Sequence, residues 1–409
     1  MSPEPRHSLA SLLATREIAV FCGSGGVGKT SVAAAAALTA AARLGGKVLV
    51  LTIDPARRLA DALGLEAFGN VERRVPIDAF HAAGIEPRGE LYAAMLDTKR
   101  SWDDLVLRHA PDENTAYRIL ENRLYANVTG RFVQSHDYIA MERLFDVHAS
   151  GRYDLIVIDT PPTRNAIDFL DAPSRMADFF GGRLLRWLTM PYRRSGRGAR
   201  VFSVASKPFY QMADRILGAQ FLHDIAEFFL NFQSMYAGFV QRARAVEQLL
   251  HDRRTTFAVV TTLEGAPLRE AERFCEELVR RRFHLGALVL NKTLPEMLLS
   301  AEGHAAAERL EVDATAIAET LGGTGTPAFG DPSRTARVLR TSSESFRNFA
   351  VVAKREQELR QELARLPEVV VDVPSFESDI ADLVGLSRIG ACLFGGGPPR
   401  AGVADIVVP

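Results

Sequence analysis

The chain has 409 residues, 47% of them hydrophobic, with a formal net charge of −1. That is enough for one large or two ordinary domains with a buried core, and the near-neutral balance gives no global reason to expect nucleic acid. No apolar run reaches a membrane span, the N-terminus lacks a signal-peptide apolar region, and Cys22, Cys275 and Cys392 form no Cys-x-x-Cys pair, so the expectation is a cytoplasmic protein without a disulfide framework or thiolate zinc site.

The first fifteen residues read as a short helix or a lead-in. Glu17–Cys22 is a short apolar run with the character of a buried strand. Gly23-Ser24-Gly25-Gly26-Val27-Gly28-Lys29-Thr30 follows and fits G-x-x-x-x-G-K-[ST]. Ser31–Leu44 is Ala-rich and reads as a helix closed by Gly45-Gly46. Strand, glycine loop and helix N-terminus are the parts a nucleoside-triphosphate site requires. Glycines let backbone N–H groups turn inward around phosphates, and the helix end adds partial positive charge. Lys29 reaches the β- and γ-phosphates in such a loop, and the Thr30 hydroxyl holds Mg²⁺.

Lys47–Ile53 reads as a second buried strand, ending at Asp54-Pro55, with a short helix at Ala60–Leu65 and another strand within Ile77–Ile85. From Thr98 to Ser150 the period is helical. Tyr153–Asp159 is a further strand, followed by Thr160-Pro161-Pro162-Thr163, and 165–253 reads as a long helical stretch. Strands at Thr256–Thr262 and His284–Asn291 flank a helix over 267–282. A Gly/Thr/Pro-rich loop at Gly322–Pro332 precedes a charged helix to Leu366, and Val369–Pro374 is the last strand. The predicted fold is α/β, a doubly wound and mostly parallel P-loop NTPase sheet forming one domain over 1–409. Residues 98–150 and 165–253 form an inserted helical subdomain, and 391–409 a disordered tail.

Three strand ends carry polar groups on the side where such sheets bind ligands. Asp54 follows the second strand. Asp159 closes an apolar run, the pattern that holds Mg²⁺ through water in P-loop NTPases. Asn291 offers a donor and an acceptor suited to the adenine edge.

With these residues in place the chain resembles the ArsA-type ATPases. Gly23–Thr30 looks like their deviant P-loop, Asp54-Pro-Ala-Arg-Arg-Leu-Ala-Asp61 like their first switch, Asp159–Thr163 like the second, and Val373-Pro-Ser-Phe376 like their adenine-side loop. The family, within the MinD/ParA-like class, includes arsenite-pump ATPases and targeting ATPases for tail-anchored membrane proteins. The resemblance implies a nucleotide-gated dimer of the chain with itself or a related subunit. It implies that Asp54 orients or activates the attacking water, with Lys29 as the other catalytic group. Thr30 and Asp159 serve Mg²⁺; Gly23–Ser31, Asn291, Pro374 and Phe376 surround ATP. One departure stands out. The family's signature lysine, which reaches the partner's phosphates, falls at Ser24 here, and Arg57 and Arg164 are candidates to replace its charge.

The job within the family is read from the rest of the chain. Arsenite requires soft thiolates, and these three cysteines do not cluster. Phe221, Ile225, Phe228, Phe229, Phe232, Met235, Tyr236 and Phe239 recur at helical spacing, either as subdomain core or as a groove for an apolar client helix. Residues 179–213 contain no acid and carry Arg183, Arg186, Arg193, Arg194, Arg197, Arg200 and Lys207 around Trp187. That stretch reads as a solvated loop, with an anionic membrane surface or an acidic partner as the alternative. A positioning ATPase acting on membrane or nucleic acid is the reading from a different class.

Overall fold

The computed structural model describes residues 8–53, 58–65, 69–122, 124–125, 129, 133–161, 170–172, 174–175, 178, 219–233, 235–324, 326–363, 367–377 and 379–395. In chain order the elements begin α1 (Leu9–Leu13), β1 (Ile18–Cys22), α2 (Lys29–Arg43), β2 (Gly46–Thr52), α3 (Arg58–Ala62), β3 (Arg73–Arg74), α4 (Ile77–Ala82) and β4 (Gly89–Met95). Next come α5 (Thr98–His109), α6 (Glu113–Glu121), α7 (Val133–Ala149), β5 (Leu155–Asp159), α8 (Ala219–Gln233), α9 (Tyr236–His251), β6 (Thr255–Thr261), α10 (Gly265–Arg280) and β7 (Leu285–Thr293). The chain continues through α11 (Ala301–Val312), α12 (Ala314–Gly322), α13 (Pro332–Leu363), β8 (Val369–Pro374) and α14 (Leu383–Leu393).

The eight strands form one sheet in the order β3-β4-β2-β5-β1-β6-β7-β8. All neighbours are parallel except the short β3, which is antiparallel to β4. This is the α/β parallel sheet the apolar runs predict. Both faces are covered, so the central strands need apolar residues at every position. Ile18, Val20 and Cys22 of β1 enter one apolar cluster with α5, α7, α9 and α10, while Ala19 and Phe21 enter the other with α1, α2 and α14.

One local reading changes, and one region left unread becomes two helices. Ile77–Ile85 is not a strand. Ile77–Ala82 is a helix opened by Pro76, with Phe80 buried and Ile77 exposed, the asymmetry of a one-sided helix. The strand of this region is β4, seven residues further on, paired with β2 from Gly46↔Gly89 to Thr52↔Met95. Residues 301–322 form α11 and α12, which pack on α13 around Ala314, Ala318 and Ala336. A core of alanines leaves almost no apolar period to read.

The Phe/Met stripe resolves as core where described. Phe228, Phe232, Met235 and Phe239 are all buried, and Phe239 packs on Trp102 and Tyr138. Beneath them lies a charged pair, Arg242–Glu142, 3.2 Å apart with Glu142 side-chain exposure of only 2%. The Tyr138 hydroxyl also donates to Glu142. The start of the expected tail is not disordered but helical to Leu393; residues 396–409 lie outside the described residues.

Burial pushes the Glu142 carboxyl above its ordinary value of 4.5, and Arg242 pulls the other way. An acid whose folded value is raised loses stability as pH climbs through its unfolded value. Arg242→Met should cost about 3 kcal/mol, the scale for orphaning a buried charge. It should also steepen the fall in stability above that pH, and adding Glu142→Gln should flatten it; urea denaturation at several pH values checks this. A second expectation concerns the contact of α2 with α14. A Cβ on Gly390 would overlap Thr39 Oγ1, itself held 2.7 Å from the Ala35 carbonyl. Gly390→Ala should therefore lower stability by about 1–3 kcal/mol despite its better helix propensity, with partial recovery in Thr39→Ala/Gly390→Ala.

Candidate functional site

The site begins where β1 ends. From Cys22 the chain turns through Gly23–Gly28 directly into α2. Gly23 (φ 155°) and Gly28 (φ 86°) are required here: a Cβ on the first would overlap the Val260 carbonyl oxygen, and on the second the Asn291 amide. Gly28 caps α2, but no side chain caps the first turn and no acid lies in it. The first N–H groups of a fifteen-residue helix are thus left for an anion. Lys29 is buried at 6% exposure, and its amine donates to the Ser24 carbonyl at 2.8 Å. The Ser24 hydroxyl is buried without a hydrogen bond among the described residues.

Asp159, the last residue of β5, sits between β2 and β1 with 1% exposure. Its Oδ2 accepts from Thr30 Oγ1 at 2.7 Å and from Thr52 Oγ1 at 2.9 Å. Its carbonyl accepts from the Ile53 amide at 3.1 Å. Thr160 is held in turn on the Phe21 carbonyl by its own N–H at 3.2 Å and its hydroxyl at 2.9 Å. Hydroxyl and carboxylate form an all-oxygen set. That chemistry fits Mg²⁺, which takes few protein ligands and completes its shell with phosphate and water. The glycine loop, open helix end and buried ammonium fit a polyphosphate. Among the described residues no cluster of three or more His, Cys, Asp or Glu could hold a metal by itself.

On the other side, Asn291 is buried at the end of β7, and its amide donates to the Val27 carbonyl at 2.7 Å. Pro374 closes β8 next to it, paired with Thr293, and the Ser375 N–H donates to the Thr293 carbonyl at 3.0 Å. Phe376 is half-buried, with the Arg388 guanidinium 4.9 Å from its ring centre. The structure thus sets Asn291 and Pro374 on adjacent strands at the loop, with Phe376 two residues beyond. A cavity of about 150 Å³ opens beside the first turn of α2, lined by Thr30, Ser31, Leu59, Asp61 and Ile380.

Asp54, Arg57, Arg164, Asn165 and residues 179–213 lie outside the described residues. Two contributors escaped the sequence reading: Thr52 fixes Asp159, and Lys292 (φ 59°) places its amine 3.4 Å from the Gly26 carbonyl. Asp61, the last residue of the first-switch match, lines the cavity. The adjacency of Thr52 to Asp54 and of Lys292 to Asn291 was the available signal.

The anion-transporting ATPase family matches residues 16–319. The putative arsenical pump-driving ATPase 1 of Aquifex aeolicus is 24% identical over 297 residues, which covers 70% of this chain and 65% of that protein. The ATPase ASNA1 homolog of Entamoeba dispar is 24% identical over 305 residues, covering 72% and 82%. The ATPase GET3 of Eremothecium gossypii is 26% identical over 309 residues, covering 71% and 76%. Among the described residues no helix is long and apolar enough to cross a membrane. A match over most of the chain, on the strand order and phosphate loop just described, means that the protein belongs to the anion-transporting (ArsA) ATPase family.

Proposed function

We propose that this ATPase binds Mg-ATP on Gly23–Ser31 and couples its hydrolysis to the opening and closing of a dimer, with itself or a related subunit, that takes up a client. The observation that carries the reading is the Thr30–Asp159 contact at 2.7 Å beside a buried Lys29. In this reading Lys29 would meet the β- and γ-oxygens, and the Thr30 hydroxyl would hold Mg²⁺. Asp159 acts through water and keeps its bond from Thr52. Bound Mg²⁺ supplies charge neutralisation across the phosphates. Asp54 begins the segment after β2 and orients or activates the attacking water. Asn291 spends one amide hydrogen on Val27, and its remaining hydrogen and oxygen face adenine together with Pro374 and Phe376.

The client reading rests on the resemblance to the targeting ATPases and on the ASNA1 and GET3 relatives. The apolar client is not expected on the α8–α9 stripe, whose described aromatic residues largely pack inward. The basic stretch 179–213 is a candidate for contact with an anionic membrane. Arsenite pumping is less well supported. Cys22, Cys275 and Cys392 are all buried in separate elements, and burial pushes the Cys22 and Cys275 thiols up to about 12, so neither offers a thiolate at neutral pH. A positioning ATPase on membrane or DNA has no supporting charge pattern beyond that stretch.

Lys29→Ala should abolish Mg²⁺-dependent phosphate release. Asp54→Asn should retain nucleotide binding while turnover falls ~10²-fold or more, as for loss of a water-positioning group. Unchanged turnover in the Asp54 variant would remove its role. The lysine missing at Ser24 gives a further expectation: Ser24→Lys should raise turnover of a homodimer, since a cation reaching the partner's transferring phosphate can be worth ~10³-fold. No gain, together with silent Arg57→Ala and Arg164→Ala variants, would remove the trans-charge argument.

A further inference from the structure

The two residues that follow the last apolar position of β7 grip two successive residues of the phosphate loop. Asn291 takes the Val27 carbonyl at 2.7 Å, and Lys292 places its ammonium 3.4 Å from the Gly26 carbonyl. We propose that Lys292 is a nucleotide-positioning residue. Its ammonium anchors on the loop, and its four-carbon stem forms one wall of the slot for the base. The proposal rests on the reading of Gly23–Ser31 as the ATP site and names a further residue of that site.

Three observations place the side chain there. Asn291 pairs with Val373 and Thr293 with Pro374, so Lys292 is the extra residue of a bulge. Bulges beside active sites re-aim a side chain. Lys292 also has a left-handed backbone, φ 59°. The other non-glycine residue of this kind among the described residues, Arg282, follows the end of α10, where such a conformation is ordinary. Lys292 ends no helix, so its conformation is held by what the turn accomplishes. Finally, the residue is exposed, yet its amine is within reach of the Gly26 carbonyl of the loop. A stem stretched between β7 and the loop lies beside Asn291, and methylene groups with a snorkelling ammonium suit the face of a purine.

The test measures binding of ADP and of inorganic pyrophosphate, each with Mg²⁺, to the full chain and to Lys292→Gly and Lys292→Met. Glycine accepts the left-handed backbone, so Lys292→Gly should melt no lower than the wild type. Its affinity for ADP should drop about tenfold, a scale set by the apolar contact removed, with pyrophosphate affinity unchanged. Lys292→Met keeps most of the stem and should lose less. Equal losses for ADP and pyrophosphate would make Lys292 a phosphate cation or a loop brace and overturn the base-wall role, as would no loss at all. A wild-type chain that binds neither probe would instead overturn the ATP site itself.

Discussion

The phosphate loop is wedged against the ends of β6 and β7 more tightly than any side chain allows. Gly23 meets the Val260 carbonyl and Gly28 meets the Asn291 amide, so the loop has one path available. On that path the Ser24 carbonyl accepts from Lys29 and the Val27 carbonyl from Asn291. A glycine loop of this kind can aim its N–H groups at an anion. The empty cap of α2 continues the same surface. A loop with this little freedom is organised before its ligand arrives, so binding does not have to order it.

Asp159 ties that loop to the strands on its other side. One carboxylate oxygen accepts from α2 through Thr30 and from β2 through Thr52. If a metal takes Thr30, Thr52 still aims the carboxylate. The Ile53 N–H on the Asp159 carbonyl fixes the point from which Asp54 departs. A nearly dry carboxylate that accepts from two hydroxyls is also placed to gain from a cation, because an opposite charge offsets the cost of burying it.

Much of this could be read from the residues. The parallel strands stand out because both faces are covered, which makes Ile18–Cys22 and Leu155–Asp159 continuous apolar runs. Gly23–Thr30 is legible because its chemistry forces its spelling. β4 was missed because it lies one strand from the edge, half-buried, with Glu90 and Tyr92 breaking the run. Ile77–Ala82 misled because six residues with two large apolar side chains fit either period. Lys292 had only its place beside Asn291 to mark it in the sequence. Its importance comes from a bulge and a backbone angle, and nothing about a lysine announces a left-handed turn.

The helical region above the sheet is bound to it by the same logic. The cluster that holds Ile156 and Ile158 of β5 runs without interruption through Trp102 and Tyr138 to Phe228, Phe232 and Phe239. Among the described residues the cluster is continuous from strand to helix, so moving these helices off the sheet would expose aromatic surface. Within this interior the Glu142–Arg242 pair, backed by Tyr138 and with Arg242 lying 5.1 Å over the Phe239 ring, bridges α7 and α9. Its hydrogen bonds add direction to a contact that is otherwise aromatic packing.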